Sequence, residues 1–202
     1  MIQLMNQLLV YFIPKKMVIR QDSQLMQRRI MILDFIHTAP NDRYAGIRAL
    51  LSGFVMMRRP KVVAEVGCKA GRTTACMIAA ARVFNHDTHF YAVDIANRGI
   101  KKTMDEAFKK WPGNLMFIRK KGQDIKEEDI QTPVDILFVD AEHTFETTTA
   151  ILERWMPWMA PKGVIVMDDV QYFQVKQAWW RVKHPKVVIE CGIGGIGIIE
   201  IG

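Results

Sequence analysis

The stretch Val62-Val63-Ala64-Glu65-Val66-Gly67-Cys68-Lys69-Ala70-Gly71-Arg72-Thr73-Thr74, which runs into an alanine-rich segment ending at Phe84, constrains the fold more than any other part of the chain. A short apolar run, a loop with two glycines and then small helix-forming residues spell strand, tight turn and helix N-terminus. Gly67 and Gly71 permit a sharp turn and let a ligand approach the main chain without a Cβ in the way. Thr73 or Thr74 can cap the helix, whose first N–H groups then point into the loop. Glu65 is the odd residue, because a carboxylate in a buried strand needs a hydrogen-bond partner.

The same alternation continues downstream. His89 to Val93, Leu115 to Ile118, Ile136 to Val139 and Val164 to Met167 are short apolar runs. Between them lie helical faces: Ile100, Met104, Ala107, Phe108 and Trp111, stopped by Pro112-Gly113, and later Phe145, Leu152, Trp155 and Met156. Strands alternating with helices predict a parallel sheet covered on both faces, with ligands bound outside the carboxyl ends of the strands. The tail, Val187 to Cys191 and Ile196 to Ile201, reads as a closing hairpin. At 202 residues one compact domain is expected, spanning 61–202, with residues 1–60 as a helical extension. In that extension Asp22-Ser23 can cap one helix and Asn41-Asp42 another, which carries Tyr44, Ile47, Leu51, Phe54 and Val55 and ends at Arg59-Pro60.

Composition narrows the class of partner. No run of about 18 uncharged apolar residues is present, so no membrane span is expected. Met1 to Ile13 lacks a preceding basic region and a small-residue cleavage site, and reads as a helix that packs on the domain or a partner. Cys68, Cys76 and Cys191 have no paired spacing, which fits reduced thiols in the cytoplasm and excludes a zinc site. A net charge of +7 is compatible with nucleic acid, yet the basic residues lie scattered in separate elements, which favours solvated faces.

The strand ends carry carboxylates. The second strand ends in Asp94, the third runs into Gly122-Gln123-Asp124, the fourth ends in Asp140 and the fifth in Asp168-Asp169. A carboxylate at Asp94 can accept hydrogen bonds from ribose hydroxyls. Asp140 and Asp168-Asp169 would bring three carboxylates to one point, where a proton or a cation must relieve their repulsion. A hard, oxygen-binding ion such as Mg²⁺ is the natural occupant.

The glycine loop departs from the dinucleotide and P-loop patterns and resembles the first motif of class I S-adenosylmethionine-dependent methyltransferases. The run Asp140-x-x-His143-x-Phe145-Glu146, then Trp155-Met156-Pro157 and Ala160-Pro161-Lys162-Gly163-Val164, resembles metal-dependent O-methyltransferases, both the catechol-type and a bacterial and phage group of sugar, macrolide and cephalosporin-hydroxylase-like proteins. This resemblance covers roughly 61–202. It implies a Rossmann-like fold, with a mostly parallel seven-stranded sheet, an antiparallel C-terminal strand and helices on both faces. It also implies S-adenosylmethionine bound by Glu65, Gly67, Cys68, Gly71, Thr73, Thr74, Asp94, Ile95, Gln123, Asp124 and Asp140, and Mg²⁺ held by Asp140, Asp168 and Asp169. Catechol-type enzymes place a lysine base where this chain has His143, so His143, with Asp140, is the catalytic candidate; its alternative role is a helix-start or Asp140 contact.

The expected reaction is metal-assisted O-methylation of a hydroxyl on a small molecule or sugar. A metal-independent methyltransferase acting on RNA or protein, and a non-catalytic binding module, are the alternatives; a dehydrogenase lacks its glycines. Tyr172 and Trp179-Trp180 could wall an acceptor pocket or pack on the sheet, and the hydrophobic hairpin or the N-terminal helices offer a surface for a homodimer.

Overall fold

The structure, a computed structural model, describes residues 44–84, 86–190 and 194–202. The expectations for Met1 to Ile13, for the helix capped at Asp22-Ser23 and for the Asn41-Asp42 cap lie outside the described residues.

The elements in chain order are α1 (Ala45–Arg58), β1 (Val62–Val66), α2 (Arg72–Val83), β2 (His89–Val93), α3 (Ile100–Phe108), β3 (Leu115–Ile118), β4 (Val134–Val139), α4 (Phe145–Trp155), β5 (Met159–Met167), α5 (Phe173–Arg181), β6 (Lys186–Ile189) and β7 (Ile196–Glu200). They form one seven-stranded sheet in the order β3-β2-β1-β4-β5-β7-β6. Strands β1 to β5 are parallel, and β7 runs antiparallel to both β5 and β6. The closing hairpin expected from the tail therefore inserts its last strand between the fifth and sixth. The order reverses beside β1, with β2 and β4 on its two sides, and at such a switch point the strand ends open a crevice.

The period-2 alternation of the strands divides the core in two. Val63, Ile136, Phe138, Val164 and Val166 face α1, α2 and α3, packed with Ile47, Leu51, Met77 and Met104. Ala64, Val66, Leu137, Val139, Ile165 and Met167 face the other layer, with Ile151, Trp155 and Trp179. Glu65 shares the parity of Val63, so its carboxyl is sent toward α2.

Several boundaries differ from the sequence reading. Helix α2 has Gly71 as N-cap with no side-chain cap, so neither Thr73 nor Thr74 caps it. Helix α3 ends at Phe108, where Lys109 adopts a left-handed conformation, short of Pro112-Gly113. Trp111 lies beyond it and donates its indole N–H to Leu115 O at 2.9 Å. Trp179 is buried while Trp180 is 66% exposed, so the packing reading holds for one of the two. Strand β6 is an outer edge with Val187, Val188 and Ile189 exposed, the edge to which the homodimer expectation attaches. No helix among the described residues is long and apolar enough to cross a membrane.

Candidate active site

The glycine loop after β1 is shaped by its own chain. Gly67 has φ of 91°, and a Cβ there would lie 2.0 Å from Asp140 O; at Gly71, with φ of 72°, it would lie 2.5 Å from the Ile100 side chain. Left-handed backbone and crowding from the residues that follow β4 and from α3 thus require the glycines. The loop is tied to β2 by Gly67 N–H and Cys68 N–H, which both donate to Val93 O at 2.8 and 3.2 Å.

Asp94, at the end of β2, is buried and accepts the Lys69 N–H at 2.8 Å on one oxygen and the Ala96 N–H at 3.0 Å on the other. Each oxygen keeps a second lone pair for a ligand hydroxyl. Ile95 beside it is 57% exposed, an apolar side chain presented at the rim.

Glu65 has the partner that burial demands, since the Thr74 hydroxyl donates to its carboxyl. Burial pushes this carboxyl from an ordinary 4.5 up to about 8; Thr74 opposes the rise and the Asp140 charge adds to it. Burial likewise pushes the Cys68 thiol up, with Glu65 and Asp94 adding to the effect, so Cys68 is no thiolate near neutral pH. Glu65, Thr73, Thr74 and Cys68 are all buried and form the floor under the loop.

The turn Gly122–Asp124 packs against the end of β1, where a Cβ on Gly122 would meet the Val66 side chain at 2.3 Å. Trp155 holds the turn by donating its indole N–H to Gly122 O at 2.9 Å. Gln123 is half-buried and Asp124 exposed beside the same rim.

Lys69 is the site residue that sequence reasoning missed. It adopts φ of 49°, a left-handed conformation rare outside glycine, and its ammonium donates to Asp140 Oδ2 at 3.0 Å. The same ammonium reaches Tyr44 OH at 3.5 Å. Burial works against the Lys69 charge, but attraction from Asp140 and Tyr44 outweighs it and its pKa is raised. Asp140 is also raised, because burial outweighs the opposing pull of Lys69. The directions agree physically: Asp140 is the deeper partner and bears more of the desolvation. The sequence signal was a cation between two glycines; nothing in it says which carboxylate the side chain reaches.

At the ends of β4 and β5 the carboxylates are distributed among partners. His143 Nε2 is 2.9 Å from Asp169 Oδ2 and 4.0 Å from Asp140 Oδ1. The 2.9 Å approach is an ion-pair distance without hydrogen-bond geometry, so Nε2 and Asp140 Oδ1 are both buried without a hydrogen-bond partner. Asp169 has φ of 56°, and a Cβ on Gly194 would fall 1.7 Å from its Oδ1, so the backbone at Gly194 closes directly on this carboxylate. Asp168 lines the small crevice beside Asp140, His143 and Thr148. Among the described residues, no group of three His, Cys, Asp or Glu side chains is gathered as a metal cage. The His143 ring tilts against Tyr172 at 5.7 Å between centroids, and Tyr172 is half exposed.

A family model described as a methyltransferase domain matches residues 64–170, from β1 through the β5 carboxylates. Among solved structures, the fold is similar to that of the O-methyltransferase TomG of Streptomyces achromogenes, involved in tomaymycin synthesis and solved with S-adenosylmethionine, at 16% identity over 96% of this chain and 95% of that one, with a TM-score of 0.64. It is similar to an O-methyltransferase of Bacillus cereus, solved with S-adenosylhomocysteine, at 15% identity over 91% and 92% with a TM-score of 0.61. The N-methyltransferase NodS of Bradyrhizobium japonicum shares the fold at 12% identity over 80% and 96%, with a TM-score of 0.55. No curated protein sequence matches the chain. With the matched segment covering the glycine loop, Asp94, Asp140 and Asp169, the chain belongs to the class I S-adenosylmethionine-dependent methyltransferases.

Proposed function

We propose that this methyltransferase acts on a hydroxyl of a small molecule at the rim between β4 and β5. The observation that supports it is the meeting of Asp140, His143 and Asp169 beside the glycine loop. S-adenosylmethionine supplies an electrophilic methyl on its sulfonium. The residues present fit it: Asp94 has acceptor capacity for ribose hydroxyls, and the unpartnered Asp140 Oδ1 suits a cationic ligand. We assign Glu65, Gly67, Cys68, Gly71, Thr73 and Thr74 to shaping the loop, and Asp94, Ile95, Gln123 and Asp124 to the nucleoside side. Residues 61–202 are the catalytic domain, with α1 docked on it through Ile47, Leu51 and Val55. Buried thiols at Cys68 and Cys76 suit a reducing compartment, which we take to be the cytoplasm.

The chain must then orient the acceptor, take its proton and exclude water. His143 is suited to the proton. Its Nε2 is buried against Asp169 while the side chain as a whole is 34% exposed, so the rest of the ring is the part an acceptor can reach. A carboxylate beside one ring nitrogen stabilises the imidazolium that forms when the other takes a proton.

Mg²⁺ is the second reading, favoured by the unpartnered oxygen of Asp140. Asp140, Asp168 and Asp169 would hold it, an oxygen donor set that fits a hard cation. Bound there, the ion would favour loss of the acceptor's proton.

Two measurements test these readings. Asp94→Asn, which keeps one acceptor for the loop N–H groups, is expected to weaken S-adenosylmethionine binding by calorimetry about tenfold or more; unchanged affinity would remove Asp94 from the cofactor site. With a hydroxylated acceptor in hand, His143→Gln is expected to lower kcat by about 10² or more without altering cofactor affinity, and chelation is expected to leave the wild-type rate unchanged. Loss of rate on chelation, restored by Mg²⁺, would replace the histidine reading with the metal one.

A further inference from the structure

One cavity in the described structure lies away from the carboxylates. It has a volume of about 400 Å³ and opens between the first turns of α2 and α3, on the outer side of the glycine loop. That volume falls within the about 300–1,000 Å³ range of small-ligand sites. Its charged lining consists of Arg72, Arg98, Lys102 and Glu106. Lys102 and Glu106 face each other at 3.8 Å and largely cancel. Arg72 and Arg98 have no carboxylate partner among the described residues, so the cavity carries two uncompensated guanidinium charges. Arg98 stands four residues after Asp94, in the loop that leaves β2. S-adenosylmethionine has no phosphate to offer such a place, and nothing in methyl transfer itself calls for one.

We propose that this cavity is a binding site for the phosphate or diphosphate group of a small molecule, held by Arg72 and Arg98. Guanidinium forks match phosphate oxygens in pairs, which a lone ammonium does not. A nucleic-acid backbone is the poorer occupant. It would have to run along α3, where Asp105 and Glu106 alternate with the lysines and pair with Lys101 and Lys102. The phosphate belongs either to the methyl acceptor itself or to a separate effector.

The test uses inorganic pyrophosphate as the probe, with calorimetry and amide NMR on the full chain. Pyrophosphate is expected to bind with a Kd below about 1 mM and to shift the amides of Ala70, Gly99 and Thr103. The double variant Arg72→Ala/Arg98→Ala is expected to lose about tenfold or more in affinity, because two charge-assisted contacts are removed. Lys109→Ala/Lys110→Ala, an equal change in net charge away from the cavity, is expected to change it by less than about twofold. S-adenosylhomocysteine binding in the arginine variant, read in the same instrument, is expected to stay at the wild-type value. No pyrophosphate binding, or an equal loss in the lysine variant, overturns the site. These readouts involve no methyl transfer, so they stand or fall separately from the proposed acceptor chemistry. Matched sugars with and without phosphate then identify the source. A preference for the phosphorylated member that the arginine variant erases assigns the group to the acceptor; equal rates with pyrophosphate binding intact assign it to an effector.

Discussion

Glu65→Gln is expected to make the folded chain more stable at pH 8, by on the order of 4 kcal/mol relative to wild type. The cause is the burial that raises this carboxyl to about 8 from 4.5, against the pull of the Thr74 hydroxyl. The folded chain thus holds a proton that the unfolded chain releases between those values. Stability from this group is complete below about 4.5 and falls as the pH rises toward about 8. A span of about three and a half pH units at about 1.4 kcal/mol each sets the magnitude. Glutamine keeps a carbonyl for the Thr74 hydroxyl and cannot ionise, so the slope disappears. Urea unfolding of both proteins near pH 5 and near pH 8 reads the effect, with the two expected to converge at the acid end. A wild type as stable as Glu65→Gln at pH 8 would show that the carboxyl is ionised in the fold. The same variant separates structural from ligand roles: a neutral Glu65 beneath the loop predicts unchanged cofactor affinity, whereas a charged hook for the cofactor predicts a loss.

Gly67→Ala is expected to cost on the order of 3–5 kcal/mol and to remove cofactor binding with it. Two penalties combine. At φ of 91° any side chain is strained, and the added Cβ would sit 2.0 Å from Asp140 O and 2.9 Å from Ala141 Cα, which are backbone atoms that no rotamer change can move. Relief requires parting β1 from β4 where Asp140 N–H donates to Val66 O at 2.9 Å, and that seam carries the site. Gly113→Ala, where a Cβ meets nothing within 4 Å, is the control and is expected to stay within about 0.5 kcal/mol. Equal stability of the two variants by urea unfolding would mean the loop is not wedged against β4.

Much of the site was legible as a list of positions and little of it as a set of contacts. Asp94, Asp140 and Asp169 could be placed on one rim because parallel strands carry their C-terminal residues to the same edge of a sheet. That Asp140 is paired by Lys69, 71 residues away, could not be read. It depends on the left-handed turn at Lys69, which non-glycine residues rarely adopt, so propensity argues against it. Of the three carboxylates read as a cluster, Asp140 lies against the chain's own Lys69 and Asp169 against its His143.

The alternation of apolar runs and amphipathic helices by itself determined the parallel sheet, its two-layer cover and the closing hairpin, because side-chain periodicity is local and survives any arrangement of the rest. Sequence alone also placed Glu65 as a buried carboxyl in search of a partner. Only the tertiary structure decided that the partner is Thr74, that Gly67 and Gly71 serve close packing, and that Arg72 and Arg98 line one cavity. Each of these depends on the separation of segments distant in sequence, and that separation follows from the twist and packing of the whole sheet rather than from any stretch within it.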